Sequence, residues 1–268
     1  NDTKISQKEL IGTLNTVIFC PEDLQLIKGT PSGRRRFLDM EISQTSATYY
    51  HQLMQYNRLL QQRNAILKEY RGKQNIPLEE WDLQLADMAS FIVKKRLESL
   101  KKINLLIDLM NRKLTGGLEN LTIGYEQPYM DNSLEYTKEG FYERIKAALP
   151  QDRHRMTTSV GPHRDDLRFF SDAMDLKKFG SQGQQRTAVL SLKLSELEFI
   201  KSEVGEYPVL LLDDVLSELD ESRRANLLQF IHKRIQTFIT TTDIHDFKDL
   251  KSVQFISCEG GKVQYGQP

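Results

Sequence analysis

Cysteine is almost absent: Cys20 and Cys258 are the only two in 268 residues, far apart and outside any Cys-x-x-Cys pair. That excludes a disulfide framework and a zinc site, and makes a reducing cytoplasm the expected location. Long hydrophobic runs are missing too. No apolar stretch approaches the roughly 20 residues that a membrane helix needs, so no membrane partner is expected. Neither sign of charge is in excess, with 37 Lys plus Arg against 37 Asp plus Glu, so any nucleic acid must be held by a local basic patch. The chain opens Asn1-Asp2-Thr3 with neither an initiator Met nor a secretory segment, as a fragment or a processed product would. None of the 15 glycines is followed by Lys-Ser or Lys-Thr, and the two Gly-Lys pairs continue as Gly72-Lys73-Gln74 and Gly261-Lys262-Val263. No loop that cradles phosphates through Gly-Lys-Ser/Thr is therefore written in these residues.

What is present centres on Tyr207 to Asp220. Val209-Leu210-Leu211-Leu212 follow Pro208 and run straight into Asp213-Asp214. Such a run reads as a short buried parallel strand that delivers two carboxylates to its C-terminal edge, where open α/β sheets bind ligands. Adjacent carboxylates there suit Mg²⁺, the first acid holding the metal while the second orients or activates a water. A core strand ending in an acidic loop is the plainer alternative. A length of 268 residues fits one α/β unit with an insertion.

Along the chain, Leu14 to Cys20 reads as a strand closed by Pro21, and Thr30-Pro31-Ser32 introduces a helix carrying Arg34-Arg35-Arg36. The triplet is either a phosphate-contacting patch or a solvated face paired with Asp39 and Glu41. From about Thr45 to Leu114, Leu53, Tyr56, Leu60 and Leu67, and then Leu85, Met88, Ile92, Ile103, Ile107, Met110 and Leu114, recur at helical spacing on either side of a break at Gly72 to Pro77. Two long helices in an antiparallel hairpin are expected, as scaffold or as a partner surface, capped by Gly116-Gly117. Leu118 to Tyr129 reads as a strand, Thr137 to Leu149 as a helix, and Arg155 to Val160 and Leu167 to Phe170 as strands around the turn Gly161-Pro162-His163-Arg164-Asp165-Asp166. That turn is an ordered hairpin, a loop bordering a nucleotide or, less readily, a metal site.

Phe179-Gly180-Ser181-Gln182-Gly183-Gln184-Gln185-Arg186 leads into a helix marked by Val189, Leu190, Leu194 and Leu197. Free backbone N–H groups, the Ser181 hydroxyl and the helix dipole favour an anion at that start, and a plain N-cap is the alternative. A phosphate-seeking helix start, one long helix, a strand ending in Asp213-Asp214 and then Ser217-Glu218-Leu219-Asp220 resemble the signature sequence, Walker B strand and D-loop of ABC-type ATPases. Thr237 to Asp243 supplies the next expected strand, with Thr242 at the position of the switch His of many ABC enzymes.

Within that superfamily, Phe19-x-Pro21-Glu22-Asp23-Leu24, Gly29-x-Pro31-x-x-Arg34-Arg35-Arg36-Phe37-Leu38-Asp39, Gly161 to Leu167 and Ser181 to Arg186 together resemble the RecF family of bacterial recombination-mediator ATPases, which are related to SMC proteins. The resemblance runs from about Val17 to Asp243. It implies binding of ATP and Mg²⁺, an ATP-dependent head-to-tail homodimer, DNA binding near junctions of single strand and duplex, and loading of recombinase at gaps with RecO- and RecR-type partners. Carried to this chain, Asp213 is the Walker B metal carboxylate, and Asp214 stands where ABC enzymes usually carry a catalytic Glu. Ser181, Gln182, Gly183 and Gln184 face the γ-phosphate held by the other subunit, and Asp220 is the D-loop acid. The Q-loop equivalent falls among Glu22, Asp23 and Gln25, and Arg34, Arg35 and Arg36 are the candidate DNA contacts.

The implied fold class is α/β, an ABC-type ATPase lobe whose sheet is incomplete here, with an inserted antiparallel helical lobe. Residues 1–40 and 151–268 would form the ATPase lobe and 41–150 the helical one. In the family the Walker A loop precedes the first residue of this chain, so these residues alone are expected to bind ATP poorly and not to hydrolyse it. Two other readings stand beside the ATPase: a non-hydrolysing SMC-like scaffold, and a DNA- or partner-binding module.

Overall fold

A computed structural model describes residues 12–72, 76–130, 136–242, 247 and 253–266. The elements in chain order are β1 (Thr16–Phe19), α1 (Gln25–Lys28), α2 (Pro31–Thr45), α3 (Ala47–Glu69), α4 (Glu79–Thr115), β2 (Leu121–Glu126), α5 (Lys138–Ala147) and α6 (Leu149–Arg155). They continue with β3 (Asp166–Ser171), β4 (Met174–Asp175), α7 (Leu176–Phe179), α8 (Gln182–Val204), β5 (Val209–Asp213), α9 (Glu221–Ile231), β6 (Thr237–Thr240), β7 (Phe255–Glu259) and β8 (Lys262–Gly266).

β1, β5 and β6 form a parallel sheet in the order β1-β5-β6, with Val17 beside Leu210 and Phe19 beside Leu212. Those four side chains are buried, whereas Ile18 and Phe238 on the opposite face are 51% and 53% exposed. Parallel sheets bury both faces as a rule. Here the described residues cover one, and Asp213, two residues beyond Leu211 on β5, lies on the other.

The helical hairpin forms as its periodicity requires. Ser46 caps α3 by accepting a hydrogen bond from the Tyr49 N–H, and α4 begins with Glu79, Glu80 and Asp82 and ends with Arg112 and Lys113, each sign at the favourable end of the helix dipole. Gly116, at φ 68°, closes α4 in the left-handed conformation that glycine adopts without strain. Leu85, Ile92, Ile103, Ile107 and Met110 on α4 are buried. Its core is shared with α3, α5, α8 and β2.

β2, from the segment expected to be the helical lobe, pairs antiparallel with β3 from the segment that follows, Ile123 opposite Phe169. Residues from both therefore build one sheet and one continuous core at that junction. Two expectations change. Arg155 to Val160 is not a strand, because α6 runs to Arg155 and Met156 then turns left-handed at φ 53°. The polar groups that follow bond to side chains instead of a ladder: the Thr158 N–H donates to Asn64 Oδ1 at 2.8 Å and the Ser159 N–H to Asp152 Oδ1 at 2.9 Å. The helix expected over Thr137 to Leu149 ends at Ala147, and α6 restarts with Pro150 in its first turn. β6 is described as far as Thr240, and Asp243, at the end of the expected strand, lies outside the described residues.

Candidate functional site

Parallel pairing puts Asp213, the last residue of β5, beside Thr240, the last of β6. The Thr240 hydroxyl donates to Asp213 Oδ1 at 2.7 Å and accepts from the Asp214 N–H at 3.0 Å. One hydroxyl thus fixes both neighbouring acids. Asp214 sits at φ 51°, a left-handed conformation uncommon outside glycine, so the chain turns sharply where the second carboxylate leaves the strand. Both carboxylates face solvent, while Val215, Leu216 and Leu219 anchor the following segment in the core. Thr240 carried no motif signal; only the β5–β6 register reveals it. Thr242 lies exposed beyond β6 and forms no recorded bond to either acid. Asp220 caps α9, accepting from the Arg223 N–H at 2.9 Å, and its other oxygen pairs with the Arg223 guanidinium. The cap bond lowers its carboxyl pKa.

Ser181 is the N-cap of α8. Its Oγ accepts from the Gln184 N–H at 3.2 Å, while Gln184 Oε1 accepts from the Ser181 N–H at 3.0 Å, a reciprocal capping box. The box leaves the N–H groups of Gln182 and Gly183 without helical acceptors, aimed outward at the positive end of the dipole. A residue without a motif signal holds this start: Gln184 Nε2 donates to Glu119 Oε1 at 3.1 Å, and the Ser171 hydroxyl donates to Glu119 Oε2 at 3.0 Å. Asn111 of α4 donates to the Glu119 carbonyl at 2.9 Å. Among the described residues no hydrogen bond or ion pair joins Ser181–Gln184 to Asp213 and Asp214. The two candidate phosphate elements are not brought together within one chain by direct contact.

The Arg triplet divides three ways. Arg34 is buried and grips Asp166 with Nε and Nη2 at 2.7 and 2.8 Å, its Nη1 donating to the Gly29 carbonyl. A guanidinium committed in this way cannot serve as a DNA contact. Arg35 is half-buried and donates to the Asp165 carbonyl at 2.7 Å. Arg36 is exposed and has no recorded partner among the described residues. Asp39 belongs to a different cation, Arg96, whose Nε and Nη2 both reach it at 2.9 Å. Arg96 Nη1 donates to the Pro162 carbonyl at 2.7 Å and lies 3.3 Å from Asp165, which also accepts from the hydroxyls of Tyr125 and Tyr129.

The turn from Gly161 is therefore an ordered keystone. His163 Nε2 donates to the Thr158 carbonyl at 3.0 Å, which leaves Nδ1 to accept from the Tyr56 hydroxyl at 2.6 Å. Burial depresses the imidazole pKa to about 4, so it is neutral near pH 7. Among the described residues no group of three His, Cys, Asp or Glu is placed to hold a metal, and the turn's acids are spent on arginines and tyrosines.

Gln25 lies exposed at the start of α1, just past the 3₁₀ turn Pro21–Leu24. Of its neighbours, Asp23 reaches furthest: its Oδ1 lies 3.5 Å from Lys193 Nζ on α8, and Lys193 also meets Glu196 at 3.2 Å. Glu41 of α2 completes this buried cluster, its pKa raised by burial to about 7. The 3₁₀ turn and α8 are thereby tied together by charge. No helix among the described residues is long and apolar enough to cross a membrane.

No family model matches the chain. Single proteins do. It is 49% identical over 250 residues to the DNA replication and repair protein RecF of Alkaliphilus oremlandii, covering 92% of this chain and 68% of that relative. It is 47% identical over 266 residues to RecF of Clostridium botulinum strain Alaska E43, covering 97% and 72%. Among solved structures it is similar to the recombination mediator protein RecF of the RecFOR pathway, one structure bearing ATP in its name and another ATPrS. Each has a TM-score of 0.88 and 36% identity over 98% of this chain and 70% of the matched one. With its α/β architecture, its acid pair at a parallel sheet edge and these relatives, the chain belongs to the RecF family of DNA replication and repair proteins.

Proposed function

We propose that this chain supplies the signature, Walker B and D-loop parts of a slow, DNA-dependent ATPase of the ABC/SMC type that helps load recombinase at single-strand gaps. The observation that carries the reading is the Asp213–Thr240–Asp214 arrangement at the carboxyl edge of a parallel sheet. Oxygen donors of this kind fit Mg²⁺, which takes one or two carboxylates and fills its other positions with water and phosphate oxygens. Asp213, held by Thr240 through one oxygen, would hold the ion, which neutralises phosphate charge when bound. Asp214 would orient or activate the attacking water, and its short side chain fits a low turnover.

ATP would be shared between two copies of the chain. The free N–H groups of Gln182 and Gly183, the Ser181 hydroxyl and Gln184 would meet the γ-phosphate bound by the other subunit, Ser181 exchanging its cap bond for the phosphate. Asp220 would stand near the dimer axis, Gln25 or its neighbours would contact the nucleotide, and Thr242 would occupy the sensor position. DNA would be met by Arg36 and in part by Arg35, with RecO- and RecR-type mediators as partners. Contacts from a Gly-Lys-Ser/Thr loop, which these residues lack, would be required for tight binding. The Asp at position 214 and the Thr at 242 also favour a second reading, an SMC-like scaffold that binds without hydrolysing.

ATP-dependent dimerisation of the full-length protein tests the proposal. Ser181→Arg places a bulky cation at the trans phosphate contact and should abolish dimerisation seen with ATP and Mg²⁺ by light scattering. An unchanged dimer in the variant would remove the composite site.

A further inference from the structure

We propose that the groove between α2 and α3 is a site for one unpaired nucleotide, its phosphate held by Arg35 and Arg36 and its base laid against Tyr50. The groove is an open cavity of about 560 Å³. A phosphate alone would fill a small part of that volume, whereas pockets of this size accommodate a ring system with its polar substituents.

Its walls divide the two tasks. One helical face of α2 contributes Arg35, Arg36 and Met40, the facing side of α3 contributes Tyr50, Leu53 and Asn57, and Pro162 and His163 lie at the floor. The charge at the floor is already cancelled. Asp39 and Arg96 satisfy one another, and His163, its two ring nitrogens bonded to Tyr56 and Thr158, is kept neutral by burial. What remains facing the groove is positive. Arg36 has no partner among the described residues, and Arg35 has as its one recorded hydrogen bond a backbone carbonyl. An anion with two acceptor oxygens suits such a pair. Beside it, Met40 is 51% exposed, and Tyr50 is partly buried, with no hydrogen-bond partner for its hydroxyl among the described residues. An aromatic ring and apolar side chains next to arginines are the means by which unstacked bases are held without sequence preference.

The chemistry recognised is phosphate joined to a purine or pyrimidine, from a DNA strand or from a free nucleotide. The DNA reading above bears only on that source. The test uses the full-length protein and 2-aminopurine, whose fluorescence falls on stacking, in three probes: a duplex carrying it as a single unpaired terminal nucleotide, a blunt duplex carrying it paired, and the free 2-aminopurine mononucleotide. The unpaired probe should be quenched on binding and the paired one should not. Tyr50→Leu should abolish quenching and weaken the unpaired probe about tenfold relative to the blunt duplex. Arg36→Gln, at an exposed position where folding is not at risk, should weaken the unpaired probe as well. Quenching of the free mononucleotide at similar concentration keeps the site and assigns it to a free nucleotide. Unchanged fluorescence, wild-type quenching in Tyr50→Leu, or equal losses for paired and unpaired probes would overturn the inference. If neither duplex binds, the DNA reading fails, and the mononucleotide still decides the groove.

Discussion

Removing the Arg96 guanidinium would take from Asp39 and Asp165 the buried cation that both carboxylates share. Breaking a buried charge network by deleting one partner costs more than the network is worth as a whole, about 3–5 kcal/mol. Arg96→Met should therefore lower stability by that amount in urea unfolding, against about 0.5 kcal/mol or less for a substitution at exposed Arg36. A second residue-scale effect concerns pH. Glu41 has a folded pKa of about 7, above its ordinary 4.5, because Glu41 is buried and lies near Asp23, with Lys193 only partly offsetting both. Between those two values the folded protein holds a proton that the unfolded chain has released, so this group makes stability fall as pH rises through the window. Glu41→Gln should flatten the decline in melting temperature between pH 5 and pH 8, and an unchanged profile would refute the assignment. His163 works in the opposite direction. Its folded pKa of about 4, below 6.5, removes stability as pH falls between those values. The Gly161 backbone behind it, at φ 131°, has no room for a side chain, since an added Cβ would stand 2.3 Å from the Tyr56 hydroxyl.

The elements were legible in the sequence in proportion to how local their causes are. β1, β5 and the α3–α4 hairpin follow from apolar period and punctuation within each segment, and Gly116 announces its own cap. Arg155 to Val160 misleads because its hydrogen-bond partners, Asn64 and Asp152, are side chains that periodicity does not register. The Arg triplet misleads for a related reason. Arg34 pairs with Asp166, far along the chain, so a run that looks like a solvated face is one-third core. Of the candidate site residues, Asp213, Asp214 and Ser181 are singled out by their order and spacing. Thr240 and Glu119 are not, because each acts through a contact that exists only after strands and helices are placed. Thr240→Val should then lower kcat for ATP in the full-length protein by about tenfold while leaving the melting temperature near wild type, and Thr240→Ser should restore it. These outcomes separate a hydroxyl that orients the acids from one that merely packs.

For the whole molecule the sheet sets the limits. Its covered face rests on α8 and the core, while the face bearing Ile18, Phe238 and Asp213 is open among the described residues. A purified polypeptide of these 268 residues should show no ATP turnover above background in a phosphate-release assay, because its carboxylates have no Gly-Lys-Ser/Thr loop to present the phosphates. Turnover would contradict that division of labour. β1 and β5, which lie side by side, are also separated in the chain by all of the long helices. On the ribosome, β1 emerges before β5 exists, and it cannot complete its ladder until the helices between them, α3, α4 and α8 included, have been made. The acid pair is therefore assembled only after the long helices have been made, and a polypeptide stopped short of Thr240 would carry those helices without a site.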